Sequence, residues 1–245
     1  MNPEIYREMA ALQEAHWWFV ARRRILATVI RQLALPPQAE ILEIGCGTGG
    51  NLPMLAGFGQ VRAMEYDHYA CDIAAGLSGI PIVIGGLPEP VPFDDNMFDL
   101  VCLLDVLEHV EDDGVALARV KRLLKPTGRL LVTVPAYAWL WSAHDDAHQH
   151  KRRYTAGMLR VCAGKAGLAV HCLGYFNALL FPLIVGIRLA RKLAGTPGND
   201  SDAAMPSSWL NSLLTVTFGA ERHFLRHCLF PFGTSVLAVL SPLPE

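Results

Sequence analysis

The stretch Ile41-Leu42-Glu43-Ile44-Gly45-Cys46-Gly47-Thr48-Gly49-Gly50 decides the fold. Its first four residues read as a buried strand, and the glycines behind them read as a tight loop that opens a helix. In an α/β sheet that junction is where a nucleotide-like ligand sits. Glycine suits it because the backbone can turn sharply and come close to a ligand with no Cβ in the way.

Outward from this loop, short β-rich runs alternate with helical stretches. The strands are expected at 39–44, 60–64, 81–84, 98–104 and 128–134, with further ones near 168–174 and at 233–240. Such alternation predicts βαβ units and an α/β fold: a doubly wound, mostly parallel, seven-stranded sheet of the Rossmann-like kind. The stretch 111–124 reads as a helix ended by the turn Lys125-Pro126-Thr127-Gly128, and Thr155 reads as the cap of a helix reaching Lys165. Residues 4–34 read as helical and close at Pro36-Pro37. Residues 176–194 read as a very apolar helix, 195–208 as a polar Pro/Gly/Ser linker and 209–228 as a second helix. The expected organisation is one domain over 1–245. An N-terminal helical cap takes 1–38, the α/β core 39–175 and 229–241, and an apolar helical insertion 176–228.

Composition narrows the partners. Twenty-one basic residues against 23 acidic ones give a net charge of -2, which supplies no broad field for gathering phosphates, so nucleic acid is not an expected partner. The chain is 52% hydrophobic and 18% charged, which leaves apolar surface to be explained outside the core. The six cysteines, at 46, 71, 102, 162, 172 and 228, include no C-x-x-C pair and suggest neither a zinc site nor a disulfide framework. The N-terminus lacks the basic and apolar regions of a secretion signal, and no uncharged apolar run reaches the roughly 18 residues of a membrane span. A cytoplasmic location is expected. The stretch 176–189 offers either peripheral membrane contact or a cap over a pocket or oligomer contact; the oligomeric state is not legible.

The glycine loop alone admits two ligands. Gly45, Gly47 and Gly50 satisfy G-x-G-x-x-G, and Glu65 follows about 20 residues on, as a dinucleotide site requires. Glu43 discriminates between them: a carboxylate two residues before the first glycine repels a pyrophosphate and attracts a cationic ligand such as a sulfonium amino acid. With the segments FDLVCLLDVLEHV at 98–110, RLLKPTGRLLVTVP at 122–135 and the apolar closing strand, the loop resembles the cofactor region of class I S-adenosylmethionine-dependent methyltransferases. The resemblance covers roughly 39–175 and the C-terminus.

That resemblance implies roles. Gly45, Gly47 and Gly49 line the methionine and ribose portion of S-adenosylmethionine, Glu43 sits near its amino group, and Glu65 accepts from both ribose hydroxyls. At Gly85-Gly86-Leu87, where many members carry an acid, adenine contact comes either from backbone amides or from Leu87 packing on the ring. Leu104 and Asp105 border the cofactor on the acceptor side. Asp105 and His109, four apart, share a face if their segment is helical, for contact or for structure.

Methyl transfer from a sulfonium is an in-line displacement, so alignment and a deprotonated acceptor carry the catalysis. The segment 139–154, WLWSAHDDAHQHKRRY, lies just beyond the fifth strand and holds His144, His148 and His150. Three histidines admit a zinc site, but the spacing does not specify one and no metal is expected. His16-Trp17-Trp18-Phe19 with its basic followers, and Pro135 to Thr155, resemble a methyltransferase group carrying HWWF and HxRRYT segments. On that resemblance His150 is the first candidate base or acceptor-orienting residue and His144 the second. Arg152 and Arg153 either hold an anion or form salt bridges, and Trp17 and Trp18 either cover the cofactor or pack in the core. The function implied is methyl transfer to a small-molecule or lipid-linked acceptor. A NAD-dependent oxidoreductase and a non-catalytic cofactor-binding subunit are the alternatives.

Overall fold

A computed structural model describes residues 3–194, 204–224 and 230–243. Its seven strands are β1 (Ala39–Ile44), β2 (Gly59–Glu65), β3 (Ile82–Ile84), β4 (Phe98–Leu104), β5 (Leu124–Pro135), β6 (Leu168–Phe176) and β7 (Ser235–Pro242). They form one sheet in the order β3-β2-β1-β4-β5-β7-β6. β1 to β5 pair in parallel, and β7 runs antiparallel between β5 and β6. The strand order reverses direction at β1 and β4, so the loops leaving these two strands diverge and open a crevice at the carboxyl edge.

Side-chain alternation loads both faces of the sheet. Leu42, Ile44, Val101, Leu103, Leu130 and Val132 point to one face, where α5 (Asp113–Leu123) and α7 (Ala156–Lys165) cover them. Ile41, Leu100, Cys102 and Leu131 point to the other and meet Ala21, Ile25 and Leu26 of α2 (Trp17–Gln32). Every residue of β4 is buried, as a strand covered on both faces demands. The helices α3 (Leu52–Ala56) and α4 (His68–Ser78) follow β1 and β2, and Asp67 caps α4 by accepting from the Tyr69 and Ala70 amides.

The expected helix over 4–34 is two helices, α1 (Pro3–Leu12) and α2, because the chain turns at 13–16 and His16 caps the second by accepting from the Trp18 amide. The Lys125-Pro126-Thr127-Gly128 turn is absorbed into β5. Phe98 pairs with Leu124 while Leu100 pairs with Arg129, so the four residues form an irregularity within the strand.

Between β6 and β7 lie α8 (Phe181–Ala194) and α9 (Ser208–Ala220). Phe176, expected in the apolar helix, instead closes β6 and is fully buried. The helix starts later because Asn177, Ala178 and Leu179 turn around the Glu221 carboxylate, which accepts all three backbone amides at 2.7–2.8 Å. Of the expected linker and second helix, residues 195–203 and 225–229 lie outside the described residues. α9 packs on α2, with the Trp17 amide donating to Asn211 Oδ1 at 2.8 Å. No helix among the described residues is long and apolar enough to cross a membrane. The five described cysteines are free thiols, three of them buried.

Candidate functional site

The glycine loop leaves β1 with Gly45 at φ +71° and Gly47 at φ +54°. A Cβ on Gly45 would lie 2.6 Å from Val106 Cγ2, so the first glycine allows the loops after β1 and β4 to pack together. A Cβ on Gly47 would meet nothing within 4 Å, so here the loop faces open space in which a ligand can rest on backbone. Gly49, at φ +82°, packs against Ala74 of α4.

Two carboxylates flank the loop. Glu43 is 1% exposed; its Oε1 accepts from Asn51 Nδ2 at 2.8 Å, and its Oε2 has no hydrogen-bond partner among the described residues. Burial pushes its carboxyl up to about 7, against the pull of Asn51 and Arg22. An acid held near neutrality with one orphaned oxygen fits a ligand ammonium, which would supply both the missing donor and the missing charge. Glu65, ending β2, accepts the Gly47 amide through Oε2 at 2.8 Å and the Tyr66 and Asp67 amides through Oε1 at 2.9 and 3.0 Å. These bonds fix the loop and leave part of the carboxylate's four lone-pair directions for a hydroxyl. Near the next strand, Leu87 is partly buried against the core, and the 79% exposed Tyr66 stands against Gly86.

At the end of β4, Leu104 is buried and Asp105 takes φ +62°. Asp105 Oδ2 pairs with Arg22 Nη2 at 2.7 Å, and Oδ1 accepts from Thr133 Oγ1 of β5 at 3.1 Å. Arg22 also donates to Thr133 Oγ1 at 2.8 Å and lies 4.9 Å from the Trp18 ring centroid. Trp17 packs edge-on against Phe218. Both tryptophans therefore serve packing. Arg22 is a residue that sequence reasoning missed; the basic run after Trp17-Trp18 was its one signal. Asp105 and His109 do not share a helical face, because only Leu107–His109 is helical, as a single 3-10 turn that Asp105 precedes.

The loop after β5 carries the histidines. The helix α6 (Ala143–Ala147) opens with a capping box between Ser142 and Asp145. Asp145, fully buried, forms a two-point pair with Arg153 at 2.7 Å for each bond and sits 2.9 Å from His150 Nδ1. Burial alone would raise the Asp145 carboxyl, but the bonds from His150 and Arg153 hold it well below the usual range. An ionised carboxylate only accepts, so His150 donates to it through Nδ1. His109 packs against His150 at 4.7 Å between ring centroids, and His144 against His148 at 4.1 Å. Burial and neighbouring histidines push His109 down to about 4 and His148 to about 3. Arg152 pairs with Asp113, and Arg153 with Asp145, so salt bridging accounts for both. The Lys151 amide donates to the Glu108 carbonyl at 2.9 Å and locks this loop onto the turn after β4.

Known proteins fit this geometry. Residues 42–132 match the methyltransferase domain family. A Mycolicibacterium smegmatis protein described as a probable S-adenosylmethionine-dependent methyltransferase is 27% identical over 70% of this chain and 67% of its own length. Cycloartenol-C-24-methyltransferase 1 of Oryza sativa subsp. japonica is 29% identical over 49% of this chain and 37% of its own. The match thus spans well under half of the rice enzyme. In fold, geranyl diphosphate C-methyltransferase of Streptomyces coelicolor A3(2) aligns with a TM-score of 0.58 at 13% identity, covering 87% of this chain and 76% of that one. The chain carries a methyltransferase domain on a Rossmann-like sheet. It is an S-adenosylmethionine-dependent methyltransferase, with S-adenosylmethionine as its cofactor.

Proposed function

We propose that this chain methylates a small-molecule or lipid-linked acceptor, and that it belongs with the methyltransferases carrying HWWF and HxRRYT segments. The observation that carries the reading is Glu43, a buried acid with an orphaned oxygen beside a glycine loop. S-adenosylmethionine supplies an electrophilic methyl group on a sulfonium. Glu43 then holds the cofactor's ammonium, Gly45, Gly47 and Gly49 its backbone-facing side, and Glu65 its ribose, where a hydroxyl competes with the Gly47 amide for Oε2. Leu87 and Tyr66 flank the adenine, and Leu104 and Asp105 border the acceptor side.

His150 is the acceptor's base in this reading. Asp145 fixes its tautomer, and Nε2 takes the proton of an oxygen or nitrogen acceptor. His144, paired with His148, stands as the second candidate.

The apolar surface suits a greasy acceptor. Leu183, Ile187 and Leu189 of α8 are 43–55% exposed, Trp209 and Val216 of α9 67–70%, and Trp139 59%. A cytoplasmic protein with this surface can rest in a lipid interface and take its acceptor from there. Arg188 donates to the Leu140 carbonyl and ties α8 to the histidine loop. Incubation with methyl-labelled S-adenosylmethionine and fractionated cell extract tests the proposal. Label should enter small, organic-soluble products; label confined to protein or nucleic acid would refute it.

A further inference from the structure

Glu108 has no part in the reading above, yet it is the most anomalous side chain near the site. It is fully buried, and although its own backbone amide approaches the carboxylate, neither oxygen has a hydrogen bond of good geometry among the described residues. One ligand atom each of Glu108, His109 and His150 lies within 4.8 Å of the others.

Asp145 fixes the His150 ring through Nδ1 at 2.9 Å, and the His109 ring packs edge-on against it with 4.7 Å between centroids. A carboxylate or carbonyl behind a histidine is the usual support of a metal ligand, because it sets the tautomer and raises the basicity of the free nitrogen. The neighbouring cations do not spoil the site, since Arg22 is neutralised by Asp105 and Arg153 by Asp145.

We propose that Glu108, His109 and His150 bind a divalent transition-metal ion of the zinc class, as a two-histidine, one-carboxylate site open toward the acceptor. Such a set with open positions is characteristic of catalytic zinc and non-haem iron. An ion relieves both unfavourable groups together: the buried carboxylate gains a counter-charge, and the histidine lone pairs gain an acceptor. Bonds of about 2.0–2.1 Å place tetrahedral donor atoms roughly 3.4 Å apart, so atoms within 4.8 Å of one another close by at most about 1.4 Å through rotamer movement. The proposal departs from the expectation of no metal. It also replaces the set His144, His148 and His150, because Glu108 and His109 reach His150 from the turn after β4. With the ion bound, His150 Nε2 is a ligand, and its role as base belongs to the metal-free enzyme.

The proposal stands without methyl transfer, because it is read with metal alone. The full chain, stripped with chelator, is titrated with Zn2+ by calorimetry and with Co2+ by visible absorption. One Zn2+ should bind per chain with a rise in Tm, and Co2+ should give a ligand-field band. His109→Ala and Glu108→Gln should each weaken Zn2+ at least about tenfold. Glu108→Gln keeps the side-chain volume and removes an unpartnered buried acid, so without metal it should melt no lower than wild type. Wild type binding Zn2+ no better than Glu108→Gln would overturn the site and leave Glu108 as a protonated acid. Undiminished binding in the Glu108→Gln/His109→Ala double variant would also overturn it, by placing the ion on His144 and His148.

Discussion

Arg22 Nη2, carried on the second N-terminal helix, lies 2.7 Å from the Asp105 carboxylate at the end of β4. The pair fastens α2 to the carboxyl edge of the sheet, with Thr133 bonded to both partners. It also brings a cation near Glu43 and Glu108, whose carboxyls it pulls down against burial. Replacing Arg22 with Met keeps most of the packing against Trp18 and leaves Asp105 with Thr133 alone. The expected cost is about 1.5–3 kcal/mol, the worth of a hydrogen bond to a charged group, measured by urea unfolding. An unchanged unfolding midpoint would show that the pair holds nothing together.

Glu43 makes stability depend on pH. Unfolded, its carboxyl ionises around 4.5; folded and free of ligand, it keeps its proton to about 7. Between these values the folded chain holds more protons, so the contribution is complete below the unfolded value and is lost as pH rises through about 7. Glu43→Gln should abolish this slope and exceed wild type above neutrality by on the order of 3 kcal/mol. Parallel stability curves for the two proteins from acid to neutral pH would exclude the effect.

The same carboxyl must be ionised to meet an ammonium. Cofactor affinity should therefore rise with pH and level off above about 7, and binding in mildly acidic buffer should release a proton. Calorimetry in two buffers of different ionisation heat reads that proton directly. Equal apparent enthalpies in both buffers would mean that Glu43 does not change charge on binding.

His150→Ala, assayed in chelator so that no ion contributes, should lower turnover by about 10²-fold or more while S-adenosylmethionine affinity stays near wild type. Loss of both together would assign His150 to the architecture of the loop, since Asp145 also braces Arg153.

The sequence made the sheet legible because its central strands β1 and β4 are buried on both faces and therefore read as short apolar runs between turn signals. The glycine loop and its two carboxylates were legible because their chemistry lies within 25 residues of chain order, from 41 to 65. Arg22 was not, because its partner Asp105 lies 83 residues away, and the Asp145–His150 pairing was not, because it depends on how the chain turns between them. Their geometry also relies on Asp105, Tyr137 and Gln149 standing at positive φ, a conformation that no composition signal announces for non-glycine residues. The helix boundary near 176 failed for a similar reason: Glu221, 44 residues on, caps the Asn177 turn.

The apolar face of α8 can be tested without disturbing the core. Leu183 and Ile187 are 55% and 43% exposed, so Leu183→Asp with Ile187→Asp should leave Tm nearly unchanged. If the face meets lipid, wild type should float with anionic liposomes and the double variant should not. Wild type remaining at the bottom at low salt would assign the face to the pocket or to another subunit.

The central claim, that the loop after β1 and the acid ending β2 form an S-adenosylmethionine site, is tested most directly by calorimetry of that cofactor with wild type and with Glu65→Ala. The same carboxylate anchors the Gly47, Tyr66 and Asp67 amides, so its loss removes the ribose acceptor and slackens the loop together. The account expects clear binding by wild type, no heat with NADH, and at least a tenfold weaker affinity in the variant, from a loss of about 1.5–3 kcal/mol. Unchanged affinity in a folded Glu65→Ala protein, or binding of NADH in place of S-adenosylmethionine, would contradict it.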